Sequence, residues 1–204
     1  LLKIAQLILQ ILTQVRLMQQ TMPLQILVRL MILSSYLDQQ ILHFGNGSEP
    51  QGLDPHIVTG VPEHHLLIAM CEGLTISNPR GGENLPGVAK SWTISPDGKT
   101  YTFFLQEDAK WSNGDQLTAS DFIWSWMRIL TPSLGSQYPD MLYYVKGAPE
   151  YHQGLTDDFS SVGVTAVNDY ELKVELTNAT PFFIKLLSHY STYPVHKDTV
   201  LKHG

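Results

Sequence analysis

Cysteine is nearly absent. Cys71 is the only one in 204 residues, so no disulfide can close within the chain, and the paired-cysteine patterns of zinc sites cannot be built. That count leaves the redox compartment open. Acidic residues are missing from the first 37 positions; all 19 lie at or after Asp38, against ten Lys and Arg over the same stretch. This acidic balance excludes a nucleic-acid partner, because binding phosphates needs clustered basic side chains that displace counterions. Long apolar runs are also missing. Gln6, Gln10, Gln14, Arg16, Gln25 and Arg29 interrupt the greasy N-terminal stretch, and no spanning helix is expected.

The sequence also lacks a nucleophile elbow, a phosphate-cradling glycine loop and a zinc helix with two histidines. Gly45-Asn46-Gly47 runs into Ser48-Glu49-Pro50, where a dinucleotide loop needs a later glycine and a helix. No catalytic residue, metal ligand or cofactor is assigned, and the chain reads as a non-enzyme. At 43% hydrophobic and 16% charged residues it can still bury a core.

Two unlike parts follow one another. Residues 1–38 hold no glycine, are dense in Leu, Ile, Gln and Met, and repeat Val15-Arg16-Leu17-Met18 as Val28-Arg29-Leu30-Met31. They lack the compact apolar core and small-residue end of a secretory signal. Two readings stand side by side: a moderately amphipathic helix broken near Pro23, or linker-coding sequence read in a shifted frame. From Ile41 onward Gly, Pro, Asn and aromatic residues fall at turn spacing, as in ordinary secreted globular sequence.

Tyr101, Phe103 and Leu105 alternate with Thr102 and Phe104, the period of a strand with a buried face. Trp92 and Ile94 suit a partner strand across the turn Ser95-Pro96-Asp97-Gly98. After a second turn at Ser112-Asn113-Gly114-Asp115, Thr118 with Asp121 three residues on predicts a capped helix. Its apolar stripe is Phe122, Ile123, Trp126, Met127 and Leu130, and Thr131-Pro132 stops it. Val162, Val164 and Ala166, then Leu172, Val174 and Leu176, flank Asn168-Asp169-Tyr170 as another hairpin, and Thr180-Pro181 opens a short helix through Leu187. Helices and strands mix without βαβ alternation, so the class is α+β.

Among possible ligands, His64 and His65 are adjacent and point to different sides, and His56 sits in a Pro-flanked loop; all read as surface or hydrogen-bonded histidines. Asp157-Asp158 and Glu171/Glu175 read as solvated charges. Trp92, Trp111, Trp124 and Trp126 read as core. Tyr138, in a loop, can offer a ring and a hydroxyl to a ligand or be an ordinary surface tyrosine.

The run Ala89-Lys90-Ser91-Trp92, Ser95-Pro96-Asp97-Gly98-Lys99-Thr100-Tyr101-Thr102-Phe103, Asp108-Ala109-Lys110-Trp111-Ser112-Asn113-Gly114 and Leu117-Thr118-Ala119-Ser120-Asp121-Phe122 resembles the signature region of family-five bacterial solute-binding proteins. Gly45 through His56, Gly60-Val61-Pro62-Glu63, Pro181-Phe182-Phe183 and Tyr193-Pro194-Val195 resemble the oligopeptide-binding branch of that family. The resemblance runs from about Ile41 to Gly204 and does not reach residues 1–38. It implies a two-lobed, periplasmic-binding-protein-like (type II) fold that closes on an extended peptide and grips its backbone. It also implies a place outside the cytoplasmic membrane, delivery to the permease of an ABC importer, no cofactor, and a monomer.

On the same basis, residues 39–71 begin the first lobe, 72–196 form the second α+β domain, and 197–204 start the return to the first lobe. Four ligand contacts are implied: Thr59, Val61, Tyr138 and His189. An acidic residue usually stands where Thr59 does, which leaves open any preference for basic peptide side chains; Gln106 and Gln116 also depart from the family's usual residues. Family members run to several hundred residues, so the other lobe and the contacts to the peptide's termini are expected elsewhere, and this chain alone is expected to bind weakly or not at all. Receptors for dipeptides, nickel or sugars share the signature, and a peptide hydrolase or a chaperone-like surface are the readings outside the receptor class.

Overall fold

The computed structural model describes residues 43–203; the readings made for residues 1–38 lie outside them. The chain divides into two compact units, Leu1–Gly45 and Asn46–Gly204, and the second is the subject here. The ranges 46–71, 72–196 and 197–203 all fall within this one unit.

Its elements are, in order, α1 (Val61–Met70), β1 (Thr75–Ile76), β2 (Leu85–Pro86), β3 (Ala89–Ile94), β4 (Thr100–Leu105), α2 (Ala119–Leu130), α3 (Ala148–His152), β5 (Val164–Asn168), β6 (Glu171–Glu175), α4 (Phe183–Leu186) and α5 (Lys197–His203), with short 3-10 turns between. β3, β4, β6 and β5 form an antiparallel sheet in that order. β4 is an inner strand, with Phe103 opposite Trp92 on one side and Leu172 on the other. Its alternation is the predicted one: Tyr101, Phe103 and Leu105 are buried while Thr100, Thr102 and Phe104 are half-buried. β3 is an edge strand, and Ile94 stays largely exposed because no further strand covers it.

The turn between β3 and β4 closes with Ser95 N–H donating to Thr100 O at 2.9 Å and Gly98 N–H to Ser95 O at 2.9 Å. Gly98 takes φ 69°, a left-handed conformation that a side chain disfavours. The hairpin of β5 and β6 forms where expected, with a register shift between Ala166 and Asn168.

α2 packs its stripe of Phe122, Trp126, Ile129 and Leu130 into the same core, each at most 1% exposed. Its first turn is held as the sequence predicts: Asp121 Oδ2 accepts Thr118 N–H at 2.7 Å and Thr118 Oγ1–H at 3.0 Å. Of the four tryptophans only Trp126 is fully buried. Trp92 and Trp111 pack partly buried against the core, and Trp124 lies two residues from both Phe122 and Trp126, off their stripe. Trp126 Nε1–H donates to Thr192 O at 3.0 Å, tying α2 to the 3-10 turn Tyr190–Thr192.

The helix predicted from Thr180 is shorter. Phe183 N–H reaches Thr180 O at 3.0 Å as a turn, and the helix proper covers Phe183–Leu186. Buried Phe183 meets Tyr101 edge-on at 5.2 Å between ring centres, and Tyr101 Oη–H donates to Thr180 O at 3.1 Å.

α1 differs from α2. Its polar Glu63, His64 and His65 lie among apolar residues with no single apolar face, and within this unit only Leu67 and Glu63 are buried, while Val61, Ile68 and Met70 are 66%, 47% and 60% exposed. Beside it opens a groove of about 960 Å³, lined among others by Ile68, Met70, Cys71, Trp111, Leu117 and Tyr193.

Asp121→Ala removes the acceptor for both Thr118 donors. We expect it to lower the unfolding free energy by about 1 kcal/mol in a urea titration with little change in the transition slope.

Candidate functional site

The segment before α1 turns at Pro55–Ile57 and enters the helix through an extended Gly60, and three hydrogen bonds within it close the turn. Asp54 O accepts the Ile57 and Val58 amides, each at 3.1 Å, and Asp54 Oδ1 accepts His56 N–H at 3.0 Å. Further along, Tyr190 Oη–H donates to Val58 O at 3.0 Å, and Tyr138 Oη–H reaches Thr59 O at 3.5 Å. Two neighbouring carbonyls thus each receive a phenol from a remote part of the chain. Gly60 then leads into α1, whose amino end has no side-chain cap. A Cβ on Gly60 would lie 1.8 Å from Glu63 Oε2, and Glu63 is held by Gln51 N–H on its other oxygen at 2.7 Å.

Tyr138 and His189 meet edge to face at 5.1 Å between ring centres, and His189 stacks on Tyr190 at 4.3 Å. His64, on α1, approaches Tyr190 at 5.6 Å. Of the four residues named from the sequence, Tyr138 touches both Thr59 and His189, and Val61 stands largely exposed two residues after Thr59. His189 Nδ1 accepts Ser191 N–H at 3.3 Å, so in the neutral ring the proton sits on Nε2. Burial, with His64 nearby, pushes the His189 pKa below its ordinary value, against the pull of Asp140. Burial and the neighbouring Tyr138 push the Tyr190 hydroxyl up to about 12, so near neutrality it is a donor. The groove beside α1 shares only His64 with this cluster.

Sequence reasoning missed what anchors the segment. Arg128, in the last turn of α2, forks onto Asp54, with Nη1 to Oδ1 at 2.9 Å and Nη2 to Oδ2 at 2.5 Å. The same Nη1 lies 2.9 Å from His56 Nδ1. A guanidinium only donates, so His56 Nδ1 is the acceptor, and Nε2 carries the proton to Tyr193 O at 3.1 Å. His56 is 1% exposed, hence hydrogen-bonded and not on the surface. Partners 74 and 72 positions apart leave no local signal; a basic residue in a helix's last turn was the only cue.

These side chains offer hydrogen-bond donors, acceptors and aromatic faces. The mixed helices and antiparallel sheet are consistent with part of a periplasmic binding protein. Residues 84–203 match the bacterial extracellular solute-binding proteins, family 5 (middle), and the chain belongs to that family. It is 43% identical over 169 residues to the periplasmic oligopeptide-binding protein OppA of Escherichia coli K12, spanning 82% of this chain and 31% of that one. It is 41% identical over 150 residues to the oligopeptide-binding protein OppA of Bacillus subtilis 168, 74% of this chain and 27% of that one. The solved structure of Haemophilus influenzae OppA in complex with RPPGFSPFR superposes with a TM-score of 0.74 at 40% identity, covering 78% of this chain and 31% of that one. The chain therefore spans about three-tenths of the length of the relatives it matches.

Burial, aided by the Arg128 charge and opposed by the Tyr193 and Asp54 contacts, pushes the His56 pKa from 6.5 down to about 4. For Asp54, burial alone raises the pKa, but the Arg128 and His56 contacts outweigh it and hold the carboxyl below 3.8. Between pH 6.5 and 4 the unfolded chain binds a proton at His56 that the folded chain does not, so stability falls as pH drops through that window. Asp54 adds a loss of the same sign at lower pH, below its unfolded value. From pH 7 to pH 4 we expect the His56 share to remove about 3 kcal/mol from the unfolding free energy, a share absent in His56→Gln, as read by urea titrations across pH.

Proposed function

We propose that this chain is part of the peptide-capturing receptor of an ABC importer, acting outside the cytoplasmic membrane and handing oligopeptides to a membrane permease. The observation that best supports this reading is the convergence of Thr59, Tyr138 and His189, far apart in sequence, beside exposed Val61. A ligand lying along Thr59–Val61 would meet extended backbone, a phenol and an imidazole. Such groups hold a peptide main chain and leave its side chains to solvent. The receptor acts as a monomer, needs no cofactor and performs no reaction.

The lobe boundaries at 71/72 and 196/197 belong to the same proposal. One wall of a cleft leaves a ligand largely solvated, so capture needs the remaining lobe of a relative-length protein. The exposed apolar side chains of α1 and the 960 Å³ groove beside it fit the packing of that lobe.

Among the described residues no helix is long and apolar enough to cross a membrane, and the ten basic residues after Asp38 do not favour nucleic acid.

In calorimetry, the full-length protein carrying this span is expected to bind tri- to pentapeptides at micromolar affinity or tighter. Tyr138→Ala should weaken that binding about tenfold. The 204-residue chain alone should bind weakly or not at all. A folded full-length protein that takes up no peptide would refute the reading.

A further inference from the structure

His56 lies where three parts of the chain meet: its own segment through Asp54, the last turn of α2 through Arg128, and the loop after the Tyr190–Thr192 turn through Tyr193 O. Arg128 Nη1 is shared between Asp54 Oδ1 and His56 Nδ1, at 2.9 Å each, which fixes the histidine in one neutral tautomer. Beyond His56 the path to α1 is held by Val58, which packs with Leu67, Tyr190 and Tyr193, and by a few hydrogen bonds. The Ile57 and Val58 amides hang on Asp54 O, and the two phenols reach Val58 O and Thr59 O. The position of Thr59, and of Val61 after it, therefore depends on these phenols and on where Asp54 and His56 are pinned to α2.

We propose that Asp54, His56 and Arg128 are positioning residues for the Thr59–Val61 wall, locking it against α2 while His56 is neutral and releasing it when His56 takes up a proton. The binding part of this proposal rests on the function proposed above; the lock itself does not. A protonated His56 would aim an N–H at the guanidinium 2.9 Å away, and the ring could no longer serve both Arg128 and Tyr193 O. Asp54 is the acidic group facing it, and it is already engaged by both arms of the Arg128 fork. The added charge is therefore only partly compensated, and the locked arrangement is disfavoured.

The burial that holds His56 near 4 agrees with this, and it sets the size of the effect. If the released segment regains the ordinary value of 6.5, the open population rises on the order of 50-fold between pH 7 and pH 4.5.

Hydrogen exchange on the 204-residue chain tests the lock without any ligand. After correction for intrinsic rates, protection of the Ile57 and Val58 amides should fall on the order of 50-fold between pH 7 and pH 4.5 while staying below that of Phe103 in β4, so that the exchange reports a local opening and not global unfolding. In His56→Gln, whose amide can still donate to Tyr193 O and accept from Arg128, the fall should stay within about threefold. Arg128→Lys keeps the charge and loses the fork, and should lower Ile57 and Val58 protection about tenfold already at pH 7. Protection that is flat with pH in the parent chain, or that falls equally in His56→Gln, overturns the lock. In the full-length protein the loss of peptide affinity from pH 7 to pH 4.5 should be at least five times larger for the parent than for His56→Gln. Equal losses overturn the positioning role. A full-length protein that binds no peptide at pH 7 instead overturns the proposed function, and the exchange result still decides the lock.

Discussion

A guanidinium whose side chain is only 12% exposed must find acceptors, and this requirement at Arg128 organises one end of the unit. α2 places the group where it is because Phe122, Trp126 and Ile129 commit the opposite side of the helix to the sheet. Asp54 answers with a matched fork, and His56 supplies a third lone pair. Once those bonds form, the tautomer of His56, the donor to Tyr193 O and the course of the chain toward Thr59 are all determined. Removing one partner from such a cluster leaves a buried charge uncompensated, which ties the start of the segment before α1 to α2.

What was legible in the sequence is what local chemistry decides. The alternation of Tyr101, Phe103 and Leu105 marked β4, Pro96-Asp97-Gly98 marked its turn, and Thr118 with Asp121 marked the start of α2 to the residue. The fold class and family followed from the same stretch. The sequence also named Thr59, Val61, Tyr138 and His189, through resemblance, but it could not say which of them touch. It gave no notice of Arg128 or Tyr190, because their roles arise only when segments more than 70 residues apart are brought together. Trp92, Trp111 and Trp124 were read as core from size alone, whereas an edge strand, a loop and an off-stripe helix position leave each only partly covered.

The two helices near the candidate site contrast in a way that bears on the parent molecule. α2 has an apolar face and a polar face, and its apolar face is fully used. α1 mixes apolar residues with Glu63, His64 and His65 and packs chiefly through Leu67 against Tyr190 and Tyr193. The same aromatic pair therefore supports α1 from below and, through Tyr190 Oη, steadies the extended segment that enters it. A shift of α1 and a shift of the segment cannot be independent, because both rest on one ring.

The lone cysteine lies at the end of α1, against the groove that α1 borders. Burial raises the pKa of its thiol, so Cys71 is a slow nucleophile near neutrality and becomes reactive as the solution turns alkaline. With no second cysteine to compete, a maleimide or spin label would attach at one address in every molecule, beside the apolar side chains that a second lobe would cover. The molecule thus carries its own attachment point for a probe beside that surface.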